Sequence, residues 1–409
     1  MQQAMPRPSF AVHAARALAL ALALALAAVG FAGAVDATQA FAWTIGIGFG
    51  LTLYHAAFGF TGAFRRLLAE GRGEGLRAQM LLLALLVALF FPALEAGSLL
   101  GAPVRGLVFP AGVATVVGAF LFGVGMQLGG GCASGTLYTA GGGDGRMVLT
   151  LVFFVLGATL AAWQGELWLD WPALPAVTVQ ELLGPWPALA ASLAVFALVF
   201  AASAARERRI TGTIAPLPVT GGRFWRGPWP LAWGAAGLAL LSLATLWALG
   251  RPWVITAPFP LWGSAAVEAL GWDEPAFWRY WEDPARIEAL FRPILADRST
   301  AMNLGLMAGA MLAAVLAGAF APSLRLSAGE AAGSVIGGVL LGIGAMLASG
   351  CNISAYVSGI ASGSLHGWAW ILPALAGNWV GLRLRPALGL AVPAEPDTRR
   401  KFYQRSRRE

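Results

Sequence analysis

The chain of 409 residues is poor in charge and in sulfur. Only 11% of its residues are charged, against about 25% in an ordinary soluble domain, which excludes a water-soluble globule as its main body. Two cysteines and three histidines cannot build a disulfide framework or a zinc centre, since both need more sulfur ligands or closely spaced pairs. No metal and no cofactor is therefore expected. Enzyme signatures are missing as well: there is no Walker lysine and no HExxH, and "GIGFG" is a mere fragment of a nucleotide fingerprint. The chain reads as a non-enzyme without an ATP site. A net charge of +7 would fit nucleic acid, but the arginines gather in a few short loops and the tail, which is how membrane orientation distributes them. No nucleic-acid partner is expected.

Apolar length, by contrast, is abundant. Hydrophobic residues make up 58% of the chain, and apolar runs close to the roughly 20 residues that cross a bilayer recur throughout. They occupy residues 7–34, 41–62, 78–96, 107–128, 147–169, 186–205, 230–249, 300–320, 329–347 and 366–384. Because backbone polar groups in lipid must be paired within the segment itself, these runs predict an all-α polytopic membrane bundle of about ten crossings. Residues 1–40 form a first span or a signal-like segment ending in Ala32-Gly33-Ala34; an uncleaved span is preferred. The section 206–299 holds a basic loop, one span and a Trp-rich loop, and 391–409 is a basic tail.

Arg65, Arg66, Arg72 and Arg77 follow the second span, Arg206, Arg208, Arg209, Arg223 and Arg226 follow the sixth, and Arg399, Arg400, Lys401, Arg405, Arg407 and Arg408 fill the tail. Alternating crossings put all three groups on one side, which the positive-inside rule makes cytoplasmic. Localisation in a bacterial inner membrane with a cytoplasmic C-terminus follows. The long segment 251–299 then lies on the periplasmic face, with helices at the interface where Trp prefers to sit. No arginine is expected inside a span, and Asp144 and Arg146 are expected to pair with each other or with water.

Each cysteine sits in a glycine-rich break. At an offset of 219 positions, which lays Cys132 on Cys351, Gly118, Leu121, Gly123, Gly125, Leu128 and Gly131 match Gly337, Leu340, Gly342, Gly344, Leu347 and Gly350. By the count of crossings, the first copy runs inward and the second outward. The expectation is a pair of inverted membrane repeats, 41–205 and 300–390, with a site near the midplane where they meet. After each cysteine the chain is too short for another crossing, so 129–145 and 350–365 are expected to be re-entrant hairpins, tolerated at that depth only where buried or lining a cavity. Glycines at 129–131 permit positive φ and close approach of a ligand. Ser134 and Asn352 are expected to cap short helices starting just past each thiol, whose exposed N–H groups would hold a small anion. A neutral thiol is soft and polarisable and suits sulfur or selenium better than oxygen. Small residues four apart also serve plain helix packing; the duplication of the cysteine favours a functional reading.

These segments resemble a known family. "GGGCASGTLYTAGGG" at 129–143, "GGVLLGIGAMLASGCNISAYVSGIASGSLHGW" at 337–368 and "FGFTGAFRRL" at 58–67 are similar to the signature segments of the YeeE/YedE family of sulfur-compound transporters. The resemblance extends over residues 41–384. It implies an inner-membrane permease in which thiosulfate passes cysteines along a central path, and it places Cys132 and Cys351 on two of the family's cysteines. A third commonly lies where this chain has Gly59.

The candidate path comprises Cys132, Cys351, Gly130, Gly131, Ser134, Gly135, Gly350, Asn352, Ser354, Gly59, Gln127, His55 and His366. His55 precedes Gly59 by four residues, so a continuous helix would put both on one face, where the imidazole stands in for the missing thiol. Gln127 and Asn378 are polar groups within spans that line the path or bond across helices. His366 caps a helix or gates the path. The expected partners are a small sulfur-containing anion, the lipid bilayer and a small cytoplasmic sulfur-carrier protein. Alternatives are transport of a selenium or other sulfur compound, a membrane thiol-disulfide oxidoreductase using the two cysteines, and a structural protein with no ligand.

Overall fold

The computed structural model describes residues 10–217 and 224–392. Arg7, Arg223 and the tail cations from Arg399 onward lie outside the described residues. The helices are α1 (Phe10–Ala34), α2 (Ala37–Ala56), α3 (Phe60–Glu70), α4 (Glu74–Glu95), α5 (Val113–Gly129), α6 (Ala133–Gly141), α7 (Gly145–Trp163), α8 (Val179–Leu183), α9 (Pro185–Thr211), α10 (Leu231–Leu249), α11 (Pro258–Ala269), α12 (Pro284–Leu290), α13 (Arg298–Leu316), α14 (Ala328–Leu347), α15 (Ser358–Ala361) and α16 (Leu365–Leu384). A π-helical turn, Asn352–Val357, precedes α15. Two two-residue strands, Ser98–Leu99 and Ala102–Pro103, form a small hairpin. The chain is thus an all-α polytopic membrane protein.

Nine segments among the described residues are long and apolar enough to cross a bilayer. The sequence had suggested about ten. The difference is α16, which is a full helix of 20 residues but carries His366, Asn378 and several tryptophans that lower its apolar character. The Trp-rich stretch after α10 folds into α11, α12 and short 3-10 turns, and exposes Trp272, Phe277 and Phe291.

Bare backbone contact between helices holds the centre together. A Cβ built on Gly50 would lie 2.0 Å from the Leu306 carbonyl oxygen, and one on Gly309 would lie 2.1 Å from that of Ile47. Only glycine admits such an approach, and it fixes α2 alongside α13, pointing the same way. Helix α5 packs chiefly on two helices. Gly118 meets Gly344 and Gly125 meets Gly337, so α5 and α14 cross in opposite directions; Gly377 meets Phe120 and Gly381 meets Val124, so α5 and α16 run in the same direction. Helix α7 lies parallel to α14, with Gly338 against Phe153 and Gly342 against Ala158.

The arginines expected in a free loop after the second span are partly inside the protein. Arg66 pairs with Glu74 at 2.7 Å, and Arg77 pairs with Glu207 at 2.6 Å with both side chains buried. Arg77 also donates to the Ala215 carbonyl at 2.8 Å. The first pair joins α3 to the start of α4, and the Arg77 bonds pin that start to the end of α9 and the segment after it. Loops cannot satisfy buried polar groups alone, so the chain folds two of its cations into ion pairs.

Candidate functional site

The long helix α5 stops at Gly130, and α14 ends at Leu347 just before two residues of positive φ, Ser349 (φ 51°) and Gly350. Gly130 has φ 93° and Gly350 has φ 142°, and after each turn a short helical segment begins at the cysteine. The thiols themselves, and not Ser134 and Asn352, hold the cap positions. Cys132 Sγ accepts from the Gly135 N–H at 3.4 Å and lies 3.4 Å from the Ser134 hydroxyl. At the second break the Cys351 N–H donates to Ser354 Oγ at 3.0 Å, and that hydroxyl lies 3.5 Å from Cys351 Sγ. Each sulfur therefore has a serine hydroxyl as neighbour. The short helical segments expected just past each thiol are present in both places.

Three helix starts converge here. Helix α3 begins at Phe60, whose main-chain amide lies beside Cys132 Sγ. Its ring meets Tyr356, centroid to centroid 6.4 Å, and Tyr356 stacks on Trp370 at 6.1 Å. Thus Phe60 bridges the two cysteine segments, which also pack on each other directly. Helix starts carry partial positive charge and unpaired N–H groups, so their convergence favours negative charge. Asn352 is fully buried, and neither atom of its side-chain amide has a partner among the described residues. Such a group costs about 1–3 kcal/mol unless something bonds to it.

Beside Cys132 lies a cavity of about 600 Å³. Its lining includes Gly59, Phe60, Gly130, Gly131, Cys132 and Gly135 together with five arginines, Arg65, Arg66, Arg146, Arg325 and Arg385, and two acids, Asp144 and Glu330. Both acids are engaged in helix capping: Asp144 accepts from the Arg146 and Met147 N–H groups, and Glu330 from Ser327. The expected Asp144–Arg146 side-chain pair does not form. Instead the Arg146 guanidinium donates to the Leu128 carbonyl at 2.8 Å. Arg65 is 6% exposed and donates through Nε to Gln127 Oε1 at 2.8 Å. Arg65 is thus buried within the bundle on α3 rather than in a solvated loop. Burial, reinforced by nearby Arg146, lowers Arg385 from the usual arginine range to about 10, still cationic at neutral pH.

The structure brings Cys132, Gly130, Gly131, Gly135 and Gly59 to this cavity and leaves the remaining candidates off its walls. Cys351, Gly350, Asn352 and Ser354 are buried at the second helix start. Gln127 joins helices: its Nε2 donates to Asn378 Oδ1 at 2.7 Å and to the Thr61 carbonyl at 3.3 Å, and its own carbonyl accepts from Arg385. His366 bonds through Nε2 to the Ala348 carbonyl at 2.8 Å, fastening the start of α16 to the end of α14. His55 does not share a face with Gly59. Left-handed Ala57, φ 46°, ends α2 between them, and the His55 ring packs on Trp229 at 5.3 Å. A Cβ at Gly59 itself would meet only the Tyr138 hydroxyl, at 3.4 Å, so the position has room for a thiol that this chain lacks.

Comparison with known proteins gives a family. A profile described as sulphur transport matches residues 55–380, which include both cysteine segments. Among curated proteins, the probable transporter YedE of Escherichia coli strain K12 is 32% identical over 166 residues, covering 39% of this chain and 38% of that protein. The Salmonella typhimurium protein of the same name matches to the same extent. The thiosulfate transporter TsuA of Spirochaeta thermophila is 34% identical over 134 residues, covering 32% of this chain and 39% of that protein. The matches thus span under half the length of these relatives.

Proposed function

The chain belongs to the sulphur-transport family, and from that premise we propose that it is an inner-membrane permease that imports a small sulfur-containing anion, thiosulfate foremost, past Cys132 and Cys351. The observation that carries this reading is the placement of both thiols at the starts of short helical segments that pack together inside the bundle. Removing a dianion from water without compensation costs tens of kcal/mol by the idealised estimate. Helix-start N–H groups, the Ser134 and Ser354 hydroxyls and the unpartnered Asn352 amide offer several modest bonds in place of one tight clamp. That suits passage, because the guest must leave as well as enter. The polarisable sulfurs then favour the soft end of thiosulfate over the oxygens of sulfate.

In this reading 41–205 and 300–390 are inverted repeats and the cysteine segments are re-entrant. The opposed crossing of α5 and α14, with Gly118 on Gly344 and Gly125 on Gly337, supports it: the two contacts exchange under the 219-residue offset, as a two-fold axis in the membrane plane requires. The parallel pairs α2–α13, α5–α16 and α7–α14 agree with the alternation of crossings. The arginine-lined cavity then opens on the cytoplasmic side, where a small sulfur-carrier protein would receive the cargo.

The test is uptake of labelled thiosulfate by cells that depend on this protein. Cys132→Ala and Cys351→Ala are each expected to abolish uptake while inserting at normal levels. Wild-type uptake in both variants would refute the role given to the thiols.

A further inference from the structure

The cavity beside Cys132 has a chemistry of its own. Five guanidinium groups line it, and among the described residues only Arg66 has a carboxylate partner, Glu74, at 2.7 Å. Among the described residues no carboxylate lies within ion-pair distance of Arg65, Arg146 or Arg385. Arg385 spends its donors on the Gln127 and Ala391 carbonyls. Arg65 gives Nε to neutral Gln127, and among the described residues no hydrogen bond from its two Nη groups is seen. Arg146 has Nη2 on a carbonyl and Nε near the Ser334 hydroxyl at 3.4 Å, which leaves Nη1. Arg65 lies within the fields of both Arg146 and Arg385. Gathered like charges at low dielectric repel strongly, and an anion between them relieves that repulsion.

We propose that Arg65 and Arg146, with Arg385 behind them, form an anion-binding chamber distinct from the thiols, which holds the oxyanion end of a small dianion by charge and does not discriminate sulfur from oxygen. Guanidinium forks match tetrahedral oxyanions geometrically, and a cavity of about 600 Å³ accommodates such an ion with water. Selection and capture are thereby divided. The thiols choose by softness, and the chamber retains by charge. The assignment of the chamber to cargo that has passed the thiols rests on the permease reading; the binding site itself does not.

The experiment is calorimetric titration of the purified full chain in detergent with inorganic sulfate and, separately, thiosulfate. Both are expected to bind with similar affinity, and binding should weaken as salt rises. Arg65→Gln and Arg146→Gln should each weaken both anions by about tenfold or more, the worth of a charged hydrogen bond, whereas Arg65→Lys keeps part of the affinity. Folded Gln variants that bind sulfate like wild type overturn the chamber. If neither variant folds, wild-type thermal stability decides: a rise in Tm that saturates at millimolar sulfate and exceeds that with chloride of equal ionic strength supports the chamber, and a Tm that only climbs steadily with sulfate, as general exclusion from the surface gives, overturns it. Sulfate binding without any thiosulfate flux sinks the permease reading and leaves the chamber standing, whereas flux without binding does the reverse.

Discussion

The two cysteine segments share a sequence pattern and differ in their surroundings. Cys132 faces a cavity lined with arginine, and the helix after it is a regular α-helix of nine residues. Cys351 is sealed, its N–H is taken by Ser354, and it is followed by a π-helical turn with an unpartnered buried amide at Asn352. A π turn is found at functional sites more often than chance allows, because it widens the backbone where a guest must fit. In the proposed path one pattern would serve two stations: an open one, bordered by arginines, and a closed one, which a guest would enter only when packing around Phe60 and Tyr356 yields.

That comparison can be broken or sharpened in several ways. The largest effect is expected from the glycines on which both segments lean. Gly344→Leu drives a side chain into the Gly118 and Phe122 backbone, 2.6 Å from the position of its Cβ, and overpacking of this kind costs about 1–3 kcal/mol or more. Folded yield after detergent extraction should collapse; a normal yield would mean that the helices separate freely. Next comes access. A small thiol reagent should modify Cys132 in the Cys351→Ala variant roughly tenfold faster than Cys351 in the Cys132→Ala variant, since sealed sites react only through opening. Equal rates would erase the distinction between open and closed stations.

Smaller effects separate the two serines. Ser354→Ala strands the Cys351 N–H in a dry site, a loss of about 1–3 kcal/mol. Ser134→Ala leaves Cys132 Sγ its bond from Gly135 and should cost less than about 1 kcal/mol. Thermal unfolding of the two variants in detergent tests the order. On the open side, Arg385 is a cation below its lowered value of about 10. Sulfate binding should hold steady through neutral pH and weaken by a few-fold as pH rises through about 10, whereas binding that falls on acidification would contradict that sign. The smallest effect belongs to Gly59→Cys. The backbone there is extended and a Cβ meets only Tyr138 at 3.4 Å, so stability should stay within about 0.5 kcal/mol of wild type.

Much of the fold was legible because lipid leaves few options: apolar length and charge bias give crossings with little help from tertiary structure. The glycine-cysteine breaks were legible because glycine at 130 and 350 is needed for positive φ, and the offset between them pointed to matching elements. What stayed hidden depended on where the chain returns. Arg65 and Arg146 read as ordinary loop charges, and nothing local says that α3 turns inward after left-handed Ala57 or that Leu128 lies under Arg146. The same left-handed residue defeated the pairing of His55 with Gly59, since helical spacing has meaning only along an unbroken helix. Gln127 was singled out as a polar group in a span, yet its bonding to Arg65, Asn378 and Thr61 needed three helices to be in place.

The most direct measurement is flux into liposomes holding the purified chain, with thiosulfate, sulfate, sulfite and selenium analogues compared side by side. Wild type should carry thiosulfate well ahead of sulfate, and the double variant Cys132→Ala/Cys351→Ala should carry neither. Thiosulfate entering at the wild-type rate through the double variant would contradict the account.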